Sequence, residues 1–144
     1  MKKPSPYLTF AGAIPFVACA LLLVIGISDI PILGATANVL SAYGLVIASF
    51  MAGSQWGNHL SLADDDKWAV RLPLVSNLIA IVLWLGFLML PVVGFIWLLV
   101  IGFASMLMID YGLNRARIIT PDYFKVRTYV TAIVVVSLIV AAMQ

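Results

Sequence analysis

Five apolar runs of about twenty residues each follow one another along this chain, at roughly 8–28, 35–57, 71–90, 92–113 and 126–143. A helix rising about 1.5 Å per residue needs about twenty residues to cross about 30 Å of hydrocarbon. A chain of 144 residues that holds five such runs has little left for anything but connections. Hydrocarbon offers no water to a backbone N–H or C=O, so a spanning segment must pair them internally. Continuous apolar runs, unlike alternating ones, cannot line a barrel. The expected fold is therefore an all-α integral membrane protein with five transmembrane helices in one domain over 1–144. Composition agrees: 64% of the residues are hydrophobic and 10% charged, against about 25% charged in soluble domains.

The breaks between runs carry turn residues: Ser28, Asp29, Pro31 and Gly34; Asp64, Asp65, Asp66 and Lys67; Pro91 and Gly94; Thr120, Pro121 and Asp122. Orientation follows from the cations, because Lys and Arg accumulate on the cytoplasmic side. Lys2, Lys3, Lys67, Arg71, Arg115, Arg117, Lys125 and Arg127 all fall at the amino terminus or in the second and fourth connections. This predicts an amino terminus inside and a carboxyl terminus outside. The net charge of +2 then marks topology, with Arg71, Arg115, Arg117 and Lys125 at the headgroups, and gives no reason to expect nucleic-acid binding. The first partner is the lipid bilayer, followed by other membrane-protein subunits or self-association.

The amino terminus admits a rival reading, since Phe16-Val17-Ala18-Cys19 loosely resembles a lipoprotein cleavage box. The apolar run continues to Ile27, a length suited to spanning. No Arg-rich, Ser-rich transit peptide precedes it, which favours a bacterial inner (cytoplasmic) membrane over the mitochondrial one.

A repeat is visible when the second and fourth spans are aligned. Ala48-Ser49-Phe50 leads to Gln55-Trp56-Gly57 as Ala104-Ser105-Met106 leads to Asp110-Tyr111-Gly112, and Trp68 to Arg71 parallels Phe124 to Arg127. Two parallel helical hairpins plus one extra amino-terminal helix would result. Gln55 then corresponds to Asp110, and Arg71 to Arg127.

Asp110 is the one acid inside a span, and a carboxylate there needs a partner. Depth supplies candidates, because the second and fourth spans end where the third and fifth begin. Gln55 and His59 share a helix face, as do Arg127 and Thr131. The expected cluster is Gln55, His59, Asn77, Asp110, Arg127 and Thr131, walled by Trp56, Tyr111 and Tyr129. Two roles stay open. Asp110 and Arg127 could lock two helices together, or the cluster could receive a proton, a headgroup or a quinone-like ligand.

Other signals are weaker. A lone histidine and the run Asp64-Asp65-Asp66 lack metal-ligand spacing, so no metal is expected. No cofactor motif, phosphate-binding loop or nucleophile with a base is present, and no catalytic residue is assigned. Gly53 and Gly57, four apart, suit close helix packing. Pro15 is placed to kink the first span.

Pro15-Phe16, Gly53 with Trp56-Gly57, Pro73, Asp110, Pro121 with Tyr123-Phe124, and Val126-Arg127-Thr128 with Thr131 form an ordered set over nearly the whole chain. In this the sequence resembles a domain-of-unknown-function family of small inner-membrane proteins that includes the transmembrane protein 69 group. The resemblance implies a small multi-span helical protein without assigning an activity. One departure stands out: the family pattern has a histidine before Trp-Gly, whereas here Gln55 stands there and His59 lies one turn on.

Small size, minimal loops and the absence of catalytic motifs favour an accessory or assembly subunit of a larger membrane complex. The alternative is a small oligomeric transporter or channel, or a lipid- or quinone-binding protein, using the cluster around Asp110.

Overall fold

A computed structural model describes residues 4–144, with side chains from residue 7 onward. Lys2 and Lys3 lie outside the described residues. Five helical segments are long and apolar enough to cross a membrane.

The first of them is broken. Helix α1 (Pro4–Ala11) and helix α2 (Ile14–Val24) meet at Gly12 and Ala13. Pro15 stands in the first turn of α2, where a missing N–H does no harm to α2 but leaves the preceding turn short of a hydrogen bond. A neighbouring helix contributes at the break, where Tyr43 Oη donates to the Gly12 carbonyl at 2.9 Å. Helix α2 stops four residues before the expected boundary at 28, because Gly26 adopts φ +89°. Its N–H bonds to Leu23 O and that of Ile27 to Leu22 O, the pairing of a Schellman cap.

A two-residue hairpin follows, with β1 (Asp29–Ile30) antiparallel to β2 (Gly34–Ala35) and Asp29 opposite Ala35. Thr36 fastens it to the first span by donating Oγ1 to Ile27 O and N to Ser28 O.

Helix α3 (Thr36–Asn58) runs into a 3-10 turn at His59–Ser61; then come α4 (Lys67–Met89), α5 (Val92–Arg115) and α6 (Pro121–Ala142). Helices α4 and α6 start four and five residues before the apolar runs expected at 71 and 126. Asp66 Oδ1 accepts from Trp68 N, and Thr120 Oγ1 accepts from Tyr123 N, so side-chain caps begin each helix in its polar margin. Hydropathy marks where the hydrocarbon begins, not where the helix does. Asp64 and Asp65 are exposed beside the cap.

Successive spans alternate in direction, which gathers Lys67, Arg71, Arg115, Arg117 and Lys125 at one end of the bundle, all exposed. Helix α5 is the centre. Its buried positions Phe95, Ile96, Leu99, Gly102, Phe103, Met106, Asp110 and Leu113 recur at helical spacing. It packs against α3, α4 and α6, while α2 packs on α3 and α6. Phe16, fully buried, meets the rings of Tyr43 at 5.1 Å and Phe103 at 5.8 Å. Helix α4 lies at the edge, against α3 and α5. Its approach to α5 is close enough that a methyl at Gly86 would sit 2.2 Å from Leu98 Cδ2. Gly53 and Gly57 make no close packing inside the chain, since nothing lies within 4 Å of a Cβ built at either.

Candidate functional site

Three helices contribute one side chain each to a buried polar centre. Gln55 from α3, Asp110 from α5 and Arg127 from α6 are 1%, 1% and 5% exposed. Arg127 Nη2 lies 2.8 Å from Asp110 Oδ2. Gln55 Nε2 donates to Asp110 Oδ1 at 3.0 Å and to the Met106 carbonyl at 2.9 Å. Both of these partners are acceptors, which fixes the amide with nitrogen toward α5. Arg127 Nη1 donates to Tyr123 Oη at 3.0 Å.

Asp110 lies five residues from the last residue of α5 and would reach water if its helix end were bare. It is sealed instead by an apolar cluster of Leu72, Leu113 and Ile119, backed by Trp68, Ile109, Tyr123 and Phe124. A buried ion pair is tolerated only with hydrogen bonds on its remaining atoms, and loss of one partner costs about 3–5 kcal/mol. The ion pair joins α5 to α6, and the Gln55 amide extends the contact to α3.

The expected cluster is corrected at five residues. His59 Nδ1 turns back to the Trp56 carbonyl in its own chain segment, and its ring lies 4.6 Å from that of Trp56. Asn77 is exposed on α4, while its neighbour Ser76 faces inward and donates to Leu72 O. Trp56, Tyr111 and Tyr129 do not wall the site; all three are exposed. Tyr111 instead lies under Arg115, whose Cζ is 5.9 Å from the ring centroid. Each correction has one cause. These helices are apolar on nearly every side, so the sequence gives depth without giving rotation.

Tyr123 and the Met106 carbonyl were not foreseen as partners. Tyr123 and Arg127 are four apart and so share a helix face, which was the available signal; no side-chain pattern marks a backbone acceptor.

Beside the polar centre is a cavity of about 370 Å³ between the first span, α3 and α6, within the range of about 300–1,000 Å³ typical of small-molecule sites. Leu8, Gly12, Phe16, Phe50 and Phe103 give it apolar walls, while Ser54, Arg127 and Thr131 give it polar points. Leu8 and Phe50 on its rim are 70% and 76% exposed, so it opens sideways, between α1 and α3. The break at Gly12 makes the opening, because α2 packs on α3 whereas α1 packs on α6.

Most hydroxyls in the spans are satisfied by a nearby carbonyl, whereas Ser49, away from the cavity, has no partner among the described residues. Ser41, Ser76, Ser105, Thr128 and Ser137 each donate to a carbonyl three or four residues earlier, the usual way a helix absorbs a hydroxyl. Ser54 and Thr131, which line the cavity, have no hydrogen-bond partner among the described residues. Arg127 Nε is likewise unpaired among them.

A sequence model of the family described as "Protein of unknown function (DUF3429)" matches residues 1–143. A stretch of 55 residues, 38% of the chain, is 47% identical to "Transmembrane protein 69" of Mus musculus and covers 21% of that protein's length. No solved structure matches.

Proposed function

The chain belongs to the family of proteins of unknown function DUF3429, and from that premise we propose that it is a membrane-embedded binding protein for a neutral amphiphile, which enters the cavity from the lipid. The observation that carries this is the pair of unbonded hydroxyls, Ser54 and Thr131, in a cavity of about 370 Å³ whose rim faces outward. Five other hydroxyls in the spans satisfy themselves on the backbone, whereas Thr131, 3% exposed, has a buried hydroxyl with no partner among the described residues. Left free, it can donate to or accept from an oxygen on a ligand.

Charge narrows the class of ligand. The Arg127 guanidinium is already balanced by Asp110 at 2.8 Å, so a phosphate or carboxylate would have to compete with an ion pair in low dielectric. A carbonyl, ester or alcohol head on an apolar body meets no such competition; it could accept from Arg127 Nε and the hydroxyls. Quinones and neutral glycerolipids have this form. The test is the lipid extract of protein purified in mild detergent, analysed by mass spectrometry. One neutral amphiphile per chain, lost by at least about tenfold in Ser54→Ala/Thr131→Val, is expected. Equal lipid content in native and variant protein would overturn the reading.

The reading includes the amino-terminus-inside orientation, supported by the cations gathered at one end. It also includes a bacterial inner membrane and the parallel-hairpin repeat, supported by the direct hydrogen bond between the corresponding residues Gln55 and Asp110. A second reading, an accessory or assembly subunit of a larger complex, is favoured by the short connections and apolar exterior. Co-purification of a stoichiometric larger partner supports it.

A further inference from the structure

Helix α4 presents a polar group to the bilayer. Asn77 is the eleventh of its 23 residues, six residues or about 9 Å beyond Arg71 and so inside the hydrocarbon. It is exposed, and its amide has no partner among the described residues. The residues above and below it on the same face, Leu74 and Ile81, are exposed too, while α3, α5 and the His59–Ser61 turn pack against this helix elsewhere. A primary amide has two donors and an acceptor with two lone pairs, none of which hydrocarbon can satisfy.

We infer that α4 is the dimer face of this protein, and that Asn77 hydrogen-bonds to Asn77 of a second copy. Three points select a copy of the chain over any other occupant. All copies insert with the same orientation, so every Asn77 lies at the same depth. Two-fold symmetry about the membrane normal then sets α4 against α4 with the two amides opposed. An amide complements itself, each NH₂ donating to the other carbonyl, whereas carboxylates or ammonium groups so placed would repel. A different protein would need its own polar group at this depth. The inference rests on the membrane-spanning fold and not on the cavity, which lies on the far side of α3.

The experiment has two arms, both on the full chain in vesicles of phosphatidylethanolamine and phosphatidylglycerol. The first uses single cysteines in a Cys19→Ala background. Leu74→Cys and Ile81→Cys should form a disulfide-linked species of twice the chain mass on mild oxidation, and Val136→Cys on the outer face of α6 should not. The second measures energy transfer between labelled copies as lipid is added. Asn77→Leu should weaken association about tenfold and Asn77→Gln by less than about threefold, both with unchanged thermal stability. Asn77→Leu suits the test because it makes the outer face more apolar and disturbs no internal contact. A native protein that stays monomeric at every dilution, association indifferent to Asn77→Leu, or equal cross-linking from Val136→Cys would each overturn the inference. Absence of any bound neutral amphiphile from the native protein, with dimerisation intact, would overturn the binding proposal alone.

Discussion

The hairpin α3–α4 and the hairpin α5–α6 place residues that align in sequence in opposite circumstances. Gln55 and Asp110 both point inward and touch, yet the first is neutral and the second charged. The arginines follow suit: Arg127 is buried against Asp110, and Arg71 is exposed. The glycines differ as well. A methyl at Gly112 would sit 2.9 Å from the Trp68 ring, whereas one at Gly57 would meet nothing within 4 Å. At these aligned positions the second hairpin is demanding and the first permissive, though Gly86 in α4 is tighter than either. An arginine at the membrane margin costs little when it reaches the headgroups; it can be drawn inside only where an acid waits for it.

The sharpest way to break this comparison is to remove both arginines in turn. Arg127→Gln leaves Asp110 charged and unpaired and should cost about 3–5 kcal/mol in unfolding measurements in detergent, while Arg71→Gln should change stability by less than about 0.5 kcal/mol. The double variant Asp110→Asn/Arg127→Gln should recover at least half of the loss, since no uncompensated charge remains; equal loss in single and double variants would deny the lock. Next in size, Gly112→Ala should cost about 1–3 kcal/mol by overpacking against Trp68, and Gly57→Ala should be neutral or stabilise by up to about 1 kcal/mol through helix propensity. Gln55→Leu should cost about 1–3 kcal/mol, the value of a buried hydrogen bond to a charge. A small gain is expected at Arg117, which holds φ +62° at the cap of α5; Arg117→Gly should raise stability by about 0.4–1 kcal/mol.

Much of this was legible in advance. The spans follow from hydropathy, and the meeting of Gln55, Asp110 and Arg127 follows from depth, because alternating helices bring those ends together. What the sequence withheld was the angle about each helix axis. Ser76 and Asn77 differ by about 100° of rotation, and in an apolar helix nothing nearby says which of them faces in. Trp56, Tyr111 and Tyr129 were misplaced for the same reason. The cavity was hidden for another. It depends on α1 leaving the line of α2, and Pro15 announces a kink without announcing its direction.

The order of Gln55, Asp110 and Arg127 along the chain has a consequence for biosynthesis. Synthesis runs from the amino terminus, so Gln55 enters the bilayer first, Asp110 second and Arg127 last. The nascent chain thus holds an acid in the membrane before its cation exists, with only the Gln55 amide to receive it. Ribosomes paused between α5 and α6 would display that half-made state, and a chain ending there should be handed to quality control.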